Sequence, residues 1–315
     1  MCRSTILATQ RSAGRLILGD LIEAIAQRFE AAALSYGHGT DNSWDEAVYL
    51  VLTVTGCADD AEELGREVDA QAQQEIEHIA QRRITERQPL AYFLGRCQFM
   101  GYEFELQPGV VIPRSPIGYL LEDWPLSLQS RALADKTKVG RIVDLCSGSG
   151  CLGIIAAHNF PNAEVTLVEL DAQAAELARR NVSHHGLESR VRVLEGDAIA
   201  VLAELPAGWD LIVSNPPYVD AADMAALPPE YQHEPALGLA GGADGLILVD
   251  KLLPLIPEKL QSDGLFICEV GASEAAMRRK HAALPLLWPE LYDGGEGVFL
   301  LEGSALGSHT SARQQ

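Results

Sequence analysis

The stretch that decides the fold of this chain reads Asp144-Leu145-Cys146-Ser147-Gly148-Ser149-Gly150-Cys151-Leu152-Gly153. It follows the short apolar segment Ile142-Val143 and opens a segment with the composition of a helix. Glycines at such a strand-to-helix turn let the backbone approach a ligand closely, as they do in nucleotide-binding α/β proteins. The stretch therefore predicts a ligand-binding turn, although a tight turn without a ligand would use the same glycines.

From residue 141 onward, short apolar strands alternate with helices. Helices are predicted over 151–158 and 172–185. The predicted strands are 142–143, 165–169, 191–194, 211–214, 264–270, 286–292 and 298–301. The last two strands are expected to pair through the glycine-rich segment 293–297. This order predicts an α/β fold: a seven-stranded doubly wound sheet with a closing antiparallel hairpin.

Apolar residues in the first part of the chain have helical spacing instead. One helix is predicted over 15–36 and another over about 60–87. Between them, a helix is predicted from Ser43 to about Gly56, with Ser43 and Glu46 as a capping box. The first 90 residues are therefore predicted to form a small helical domain.

A β-hairpin is predicted to link this helical domain to the α/β domain. Residues 99–106 alternate apolar and polar side chains, and a Pro-Gly turn leads into 110–112. Ser115 and Pro116 then cap a helix that is expected to reach about Trp124. The predicted divisions are a helical domain over 1–90, a hairpin linker over 91–114, a Rossmann-like domain over 115–303 and a flexible tail over 304–315.

Composition limits the classes of function. Hydrophobic residues make up 47% and charged residues 22% of the chain, and no apolar run is long enough to span a membrane. The first residues lack a secretory signal, which predicts a cytoplasmic protein without a membrane partner. The six cysteines form no C-x-x-C pair and no histidines have zinc-ligand spacing, so no metal site is expected.

The net charge is strongly acidic. The chain has 24 Lys and Arg against 44 Asp and Glu, which gives a net charge of −20. Such a charge repels the phosphate backbone of nucleic acids and attracts a basic partner. Solubility or a salt-adapted host would explain the acidity equally well.

Two acidic residues follow the strands that come after the glycine-rich turn. Glu169 ends the strand 165–169, where an acid can accept hydrogen bonds from both hydroxyls of a ribose. Asp171 is the competing acid, but its position suits a helix cap. In Glu195-Gly196-Asp197-Ala198, Asp197 follows the next strand and suits an adenine amino group, although most loop acids are simply solvated.

The segment Asn215-Pro216-Pro217-Tyr218 follows the strand 211–214, at the sheet edge where open α/β sheets bind ligands. Two prolines fix the backbone and remove two donors, which leaves carbonyl oxygens available. Asn215 adds an amide oxygen, so the segment can hold an NH2 group, and Tyr218 can stack on a planar amide or base. In isolation these residues would make an exposed turn. After the glycine-rich turn, they indicate a nitrogen-binding site.

Together, these motifs predict methylation of a planar amide or amine nitrogen by S-adenosylmethionine. Acceptors on Asn215 and Pro216 would hold both hydrogens and direct the nitrogen at the methyl group, so positioning and electrostatics supply the rate. No general base is apparent in the sequence. The closing hairpin is also typical of methyltransferase sheets rather than dehydrogenase sheets.

Three other functions stay open. An adenine N(6)-methyltransferase acting on nucleic acid would use the same Asn-Pro-Pro-Tyr segment, but the acidic charge predicts no stable nucleic-acid binding. A nicotinamide-dependent oxidoreductase would share the glycine-rich turn and leave Asn215–Tyr218 unexplained. An assembly factor that binds its partner without modifying it would show no methyl transfer.

Over nearly its whole length, the chain resembles the HemK-type glutamine N(5)-methyltransferases. Besides the motifs above, the resemblance rests on Pro89-Leu90-Ala91-Tyr92-Phe93-Leu94-Gly95, Val111-Ile112-Pro113-Arg114, Glu234-Pro235-Ala236-Leu237 and Gly241-Gly242-Ala243-Asp244-Gly245-Leu246. It implies that the substrate nitrogen is a glutamine side-chain amide in a protein of the translation apparatus. It also implies that residues 1–90 recognise that protein.

One segment separates two branches of this family. Members that act on peptide chain release factors typically have Pro-Asp-Thr-Glu where this chain has Ser115-Pro116-Ile117. The Ser-Pro-Ile segment, Cys146 and Tyr231-Gln232-His233-Glu234-Pro235 resemble the branch that methylates large-subunit ribosomal protein number three. A basic ribosomal protein also suits the acidic charge. A release factor stays the alternative substrate, and the oligomeric state is left open.

Motifs and resemblance together predict the site residues. Those predicted to bind the cofactor are Asp144, Cys146, Ser147, Gly148, Ser149, Gly150, Glu169, Asp197, Ala198 and Asn215. Those predicted to be catalytic are Asn215, Pro216, Pro217 and Tyr218. Cys146 stands where glycine is commoner, and it is tolerated provided that the backbone angles there do not require glycine.

Overall fold

The computed structural model describes residues 16–122, 135–291 and 297–306. Their contacts form two compact units. One unit contains the residues up to 36 together with 40–90, and the other contains Gly37–Gly39 and the residues from 91 onward. In these described ranges, no helix is long and apolar enough to cross a membrane.

The first unit is helical, with α1 (Leu18–Ala31), α2 (Ser43–Thr55) and α3 (Ala70–Glu86). Helix α1 buries one face, whose residues recur at helical spacing: Leu18, Leu21, Ile22, Ile25 and Phe29. Helix α3 begins at Ala70, where Asp69 accepts hydrogen bonds from two backbone amides. The prediction that this helix starts near residue 60 was therefore wrong, because 61–65 form a separate 3₁₀ turn.

Helix α2 ends at Gly56, as predicted, because this glycine adopts a left-handed φ of 67°. Its N-terminus differs from the prediction. The cap is Asn42, whose side chain accepts a hydrogen bond from the Asp45 amide. The predicted capping box of Ser43 and Glu46 was wrong, because the Glu46 side chain is buried and binds Arg83 instead.

The second unit begins with α4 (Leu90–Leu94) and a hairpin of β1 (Arg96–Phe99) and β2 (Tyr102–Glu105). The hairpin turn is Met100-Gly101, where both residues have positive φ, 51° and 74°. The predicted pairing of 99–106 with 110–112 was wrong, because this tight turn closes the hairpin earlier. Helix α5 (Ile117–Glu122) follows Ser115 as expected. The predicted end at Trp124 lies outside the described residues.

The remaining elements form a central sheet with helices on both faces and a separate two-stranded parallel sheet. In chain order they are β3 (Arg141–Leu145), α6 (Cys151–Asn159), β4 (Glu164–Glu169), α7 (Ala172–His184), β5 (Val191–Glu195), α8 (Ala198–Glu204), β6 (Trp209–Ser214), β7 (Val219–Asp220), α9 (Ala221–Ala226), α10 (Ala236–Leu239), β8 (Ala240–Gly242), α11 (Ile247–Leu252), α12 (Ile256–Lys259), β9 (Leu260–Glu269), α13 (Glu274–Lys280) and β10 (Val298–Glu302). The central sheet has the order β10-β9-β6-β3-β4-β5, and only β10 runs antiparallel to its neighbour. Strands β7 and β8 form the separate parallel sheet. The predicted α/β class is confirmed.

In the described residues, the central sheet has six full strands. Where the seventh strand was predicted, Leu287 forms a single antiparallel bridge with Leu300 of β10. The closing antiparallel element is therefore present as β10 with this bridge. The predicted loop 293–297 lies largely outside the described residues, and 303–306 form a helical turn in which Leu306 is buried.

Strand register brings the predicted site residues to one edge of the sheet. In the parallel ladder, Leu145 pairs with Val168 on one side and with Ser214 on the other. Cys146, Glu169 and Asn215, which follow these three residues, therefore lie side by side. The two faces of the sheet are packed by separate apolar clusters, so the strand ends are held rigidly.

Candidate active site

A cavity of about 550 Å³ lies at this edge of the sheet. Most of the predicted site residues line it: Cys146, Ser147, Gly148, Ser149, Glu169, Asp197, Ala198, Asn215, Pro217 and Tyr218. Three do not: Asp144, Gly150 and Pro216. The cavity therefore unites the glycine-rich turn, both predicted ligand acids and the Asn-Pro-Pro-Tyr segment.

The glycine-rich turn is fixed by hydrogen bonds to the neighbouring strand. The Ser147 amide donates to the Val168 carbonyl at 3.1 Å, and the Gly148 amide donates to Glu169 Oε2 at 2.7 Å. The Asp171 amide donates to Glu169 Oε1 at 2.9 Å. Both carboxylate oxygens of Glu169 are thus oriented by backbone donors, and each retains a lone pair for a ligand hydroxyl.

Asp144 lies beneath this turn rather than on the cavity wall. Its Oδ2 accepts a hydrogen bond from the Gly153 amide at 2.9 Å, which ties the strand to the first turn of α6. Gly153 is required here, because a Cβ atom would overlap the Leu167 side chain. Burial, reinforced by the negative charge of Glu169, raises the pKa of Asp144 to about 7. Asp144 therefore stabilises the glycine-rich turn without lining the cavity.

Two acids that cap helices line the cavity, and each uses its Oδ1 atom for the cap. Asp171 caps α7, as predicted, by accepting from the Ala174 amide at 2.9 Å. Asp197 caps α8 through Oδ1, which accepts from the Ile199 and Ala200 amides. Because both bonds use Oδ1, the Oδ2 atom of Asp197 is available to an amino group in the cavity.

The cavity suits a cationic ligand that also carries hydroxyl and amino groups. Glu169 and Asp197 supply carboxylate acceptors. Among the described residues, the buried Ser147 hydroxyl has no hydrogen-bond partner, although a buried polar atom normally has one. These features fit S-adenosylmethionine, which has a ribose, an adenine amino group and a sulfonium charge.

The Asn-Pro-Pro-Tyr segment continues β6 into the cavity. The Ser214 hydroxyl donates to the Leu145 carbonyl at 3.0 Å and anchors the strand end. The Asn215 side chain makes no hydrogen bond to any residue that the structure describes, so its amide is available to a ligand. Pro216 is buried, whereas Pro217 and Tyr218 line the cavity.

Glycines enclose Tyr218. A Cβ atom on Gly241 or Gly245 would come within 3 Å of the Tyr218 backbone, and one on Gly271 would meet its ring. The Ser273 hydroxyl also donates to the Tyr218 carbonyl at 3.0 Å. The glycine-rich segment Gly241–Gly245 therefore has a physical role, since only residues without side chains fit against Tyr218.

Arg114 lines the cavity and forms an ion pair with the buried Glu234 behind it. Arg114 donates to both oxygens of Glu234 at 2.7 Å, and the Ile112 amide donates to Glu234 Oε1 at 2.8 Å. The buried His38 ring lies 3.6 Å from Glu234 Oε2. Although burial opposes ionisation, His38 and Arg114 outweigh it and lower the pKa of Glu234 to about 2. Glu234 is therefore a fixed negative charge that orients Arg114.

Sequence reasoning missed one buried acid, Glu269. It ends β9 beside Asn215, and Ser115 Oγ donates to its Oε2 at 2.5 Å. A signal was present, because an acid directly after the apolar run 264–268 stands at the sheet edge where ligands bind.

Sequence comparisons place the chain in a family of known proteins. A sequence family described as "Methyltransferase small domain" matches residues 128–227. The chain is 39% identical to the "Ribosomal protein uL3 glutamine methyltransferase" of Bordetella pertussis over 90% of this chain and 94% of that protein. Proteins of the same name from Burkholderia pseudomallei (41% identity, 91% and 94% covered) and Bradyrhizobium diazoefficiens (40%, 93% and 93%) are equally similar. At this identity over nearly the full length of both chains, the protein belongs to the ribosomal protein uL3 glutamine methyltransferase family.

Proposed function

We propose that this methyltransferase transfers a methyl group from S-adenosylmethionine to the side-chain amide nitrogen of a glutamine in ribosomal protein uL3. The observation that carries the proposal is the single cavity that contains the glycine-rich turn, Glu169, Asp197 and Asn215–Tyr218. Cofactor acceptors and a nitrogen-binding segment in one cavity are what a direct transfer between two bound molecules requires.

The cofactor-binding half of the cavity supplies acceptors at two strand ends. Glu169 would accept the ribose hydroxyls, because backbone amides already orient its carboxylate. Asp197 Oδ2 would accept the adenine amino group beside Ala198. The turn from Cys146 to Gly150 would approach the rest of the cofactor, with Asp144 holding the turn from below.

The other half would orient the glutamine. When bound, S-adenosylmethionine supplies an electrophilic methyl group. Asn215 Oδ1 would accept one amide hydrogen, and the backbone carbonyl of Pro216, whose ring is buried behind the cavity lining, would accept the other. These two acceptors would direct the nitrogen toward that methyl group. Tyr218 and Pro217 would enclose the planar amide and exclude water from it.

The substrate proposal rests on the names of the relatives and on charge. Three relatives at 39% to 41% identity are uL3 glutamine methyltransferases. A net charge of −20 favours a basic ribosomal protein and disfavours stable nucleic-acid binding. We place the reaction in the cytoplasm, where ribosomal proteins are made. A release factor is the alternative substrate.

The first prediction tests whether substrate orientation and cofactor binding depend on different residues of the cavity. Asn215→Ala should lower methyl transfer by at least about 100-fold, because an acceptor that orients the amide is lost. Its affinity for S-adenosylmethionine should stay within about 3-fold of the parent, since Glu169 and Asp197 are retained. Glu169→Ala should instead weaken the cofactor by about 10-fold or more.

Isothermal titration of the cofactor and transfer of a labelled methyl group measure these two effects. Glu176→Ala, an exposed acid on α7 that pairs only with Arg179 in the described chain, serves as the matched control. Full activity of Asn215→Ala would contradict the mechanism. To identify the substrate, labelled cofactor is offered with purified uL3, a release factor and RNA in parallel. Label on release factor or RNA alone would overturn the uL3 assignment.

A further inference from the structure

Glu269 is a buried carboxylate next to the nitrogen-binding segment. It is 4% exposed, and β9 lies parallel to β6 with Cys268 paired to Ser214. Glu269 therefore stands beside Asn215 at the sheet edge. Burying a carboxylate is costly unless hydrogen bonds satisfy it, so its partners determine what it does.

One partner is Ser115, which is itself 3% exposed. The Ile117 amide donates to Ser115 Oγ at 3.3 Å, and Ser115 Oγ lies 2.5 Å from Glu269 Oε2. Because a carboxylate only accepts, the serine proton points at Glu269. Burial raises the pKa of Glu269, whereas the hydrogen bonds from Ser115 and Tyr218 oppose this rise and favour the ionised form. Ser115 therefore fixes one side of the carboxylate.

The other partner is Tyr218. Its phenol is hydrogen-bonded to Glu269, and burial together with the Glu269 charge raises the pKa of that phenol well above its usual value. Tyr218 thus stays protonated and donates. Gly271 packs against its ring and Ser273 holds its carbonyl. Glu269 therefore links the Ser115 hydroxyl to the Tyr218 hydroxyl.

We propose that Ser115 and Glu269 are positioning residues, which act through the Tyr218 hydroxyl to hold the Tyr218 ring in place against the glutamine amide. The proposal rests on the proposed function, in which Asn215–Tyr218 bind that amide. It assigns a role in the reaction to a serine and a glutamate that do not themselves contact the reacting atoms. A purely structural pair would stabilise the fold without acting on Tyr218.

Kinetics of single variants provide the first test. Ser115→Ala and Tyr218→Phe should each lower kcat for glutamine methylation by about 10-fold, with cofactor affinity within about 2-fold of the parent. Glu269→Gln keeps an acceptor oxygen and should lose less activity than Glu269→Ala. The matched control is Ser183→Ala, which removes an exposed serine that donates to Glu188 Oε1 at 2.7 Å. An equal loss in the control, or unchanged kcat in Ser115→Ala, would overturn the proposal.

The double variant Ser115→Ala/Tyr218→Phe separates positioning from a structural role. If Ser115 acts through the Tyr218 hydroxyl, the double variant is no slower than Tyr218→Phe alone. If the two losses multiply to about 100-fold, the residues act independently and the proposal is wrong.

A readout that does not depend on activity uses 3-fluorotyrosine incorporated at position 218 of the full chain. The parent should give one narrow ¹⁹F resonance, and Ser115→Ala and Glu269→Gln should shift or broaden it, whereas Ser183→Ala should not. An unchanged resonance in both site variants would overturn the positioning role. If the parent methylates no glutamine, the proposed function fails, and the ¹⁹F comparison still decides whether Ser115 and Glu269 position Tyr218.

Discussion

Cys146 occupies a left-handed backbone position in the glycine-rich turn, with φ of 62°. The sequence-based expectation was that a cysteine is tolerated there only if the backbone angles do not require glycine. The structure adopts the angles that favour glycine, so the cysteine is accommodated at a cost of about 1–2 kcal/mol. The neighbouring strand, through Ser147 and Glu169, holds the turn in this conformation.

The protein with a glycine at position 146 should therefore be more stable than the protein with an alanine at the same position. Cys146→Gly and Cys146→Ala both remove the thiol and differ only in the Cβ atom. We expect the free energy of unfolding of the glycine variant to be about 0.5–1 kcal/mol higher than that of the alanine variant. This value includes the opposing effect of glycine, which makes the unfolded chain more flexible. Urea denaturation measures the difference. A glycine variant no more stable than the alanine variant would refute the assigned strain.

Ser115 also matters at the scale of single residues. In the sequence it is a predicted helix cap and part of the segment that separates two family branches. In the structure its hydroxyl binds Glu269, whose other partner is Tyr218. A proline at this position, as in the release-factor branch, could not make that hydrogen bond. Ser115 therefore gives this chain a hydrogen bond next to the predicted substrate site that a proline at this position would lack.

At the scale of elements, helices α2 and α3 are joined by a buried ion pair. Arg83 Nε donates to Glu46 Oε1 at 2.6 Å, and the side chains are 0% and 3% exposed. Arg83 also donates to the Ser35 carbonyl at 3.0 Å. Removing one partner of such a pair leaves an uncompensated buried charge, which is strongly destabilising.

Arg83→Met should lower the free energy of unfolding by about 3–5 kcal/mol. The matched control is Arg82→Met on the same helix, where an exposed pair with Glu86 is lost and the expected change is below about 1 kcal/mol. Denaturant titration followed by circular dichroism measures both. The double variant Glu46→Leu/Arg83→Met should recover much of the loss, because no unpaired charge remains. Similar losses in Arg82→Met and Arg83→Met would contradict this account.

At the scale of the whole molecule, the charge of −20 is the main electrostatic feature. It acts over distances of about 10 Å at moderate salt, beyond the contacts of any one residue. Such a field accelerates the encounter with a basic protein more than it strengthens the final complex. Charge should therefore affect capture of the substrate protein and leave the methyl-transfer step unchanged.

This expectation has a kinetic signature. Raising ionic strength from about 0.05 to 0.5 M should raise KM for uL3 by about 10-fold, while kcat changes less than about 2-fold. A short uncharged peptide that contains the glutamine is the control, and its KM should hardly depend on salt. Equal salt dependence for peptide and protein would show that the net charge does not guide binding.

Local patterns in the sequence were sufficient for the α/β class, the glycine-rich turn and the position of Asn215–Tyr218. Apolar runs mark strands, glycines mark turns, and parallel strands bring their carboxyl ends to one edge, so Glu169 and Asn215 could be expected together. The hairpin was misplaced because Pro108-Gly109 is a stronger turn signal than Met100-Gly101, in which a methionine adopts a positive φ. The start of α3 was missed because residues 61–65 have a composition that suits a helix but form a separate 3₁₀ turn without buried side chains, and Asp69 caps a new helix.

Tertiary structure alone decided which polar and charged side chains meet inside the fold. The hydrogen-bonded pairs Arg83–Glu46, Arg114–Glu234 and Ser115–Glu269 join residues 37, 120 and 154 positions apart. Charged residues look alike in a sequence whether they are solvated or buried, because burial depends on packing by distant elements. The sequence by itself thus determined the cofactor turn and the nitrogen-binding segment. The fold determined that Glu269 and Ser115 stand behind Tyr218, since only packing brings β9 and the start of α5 together.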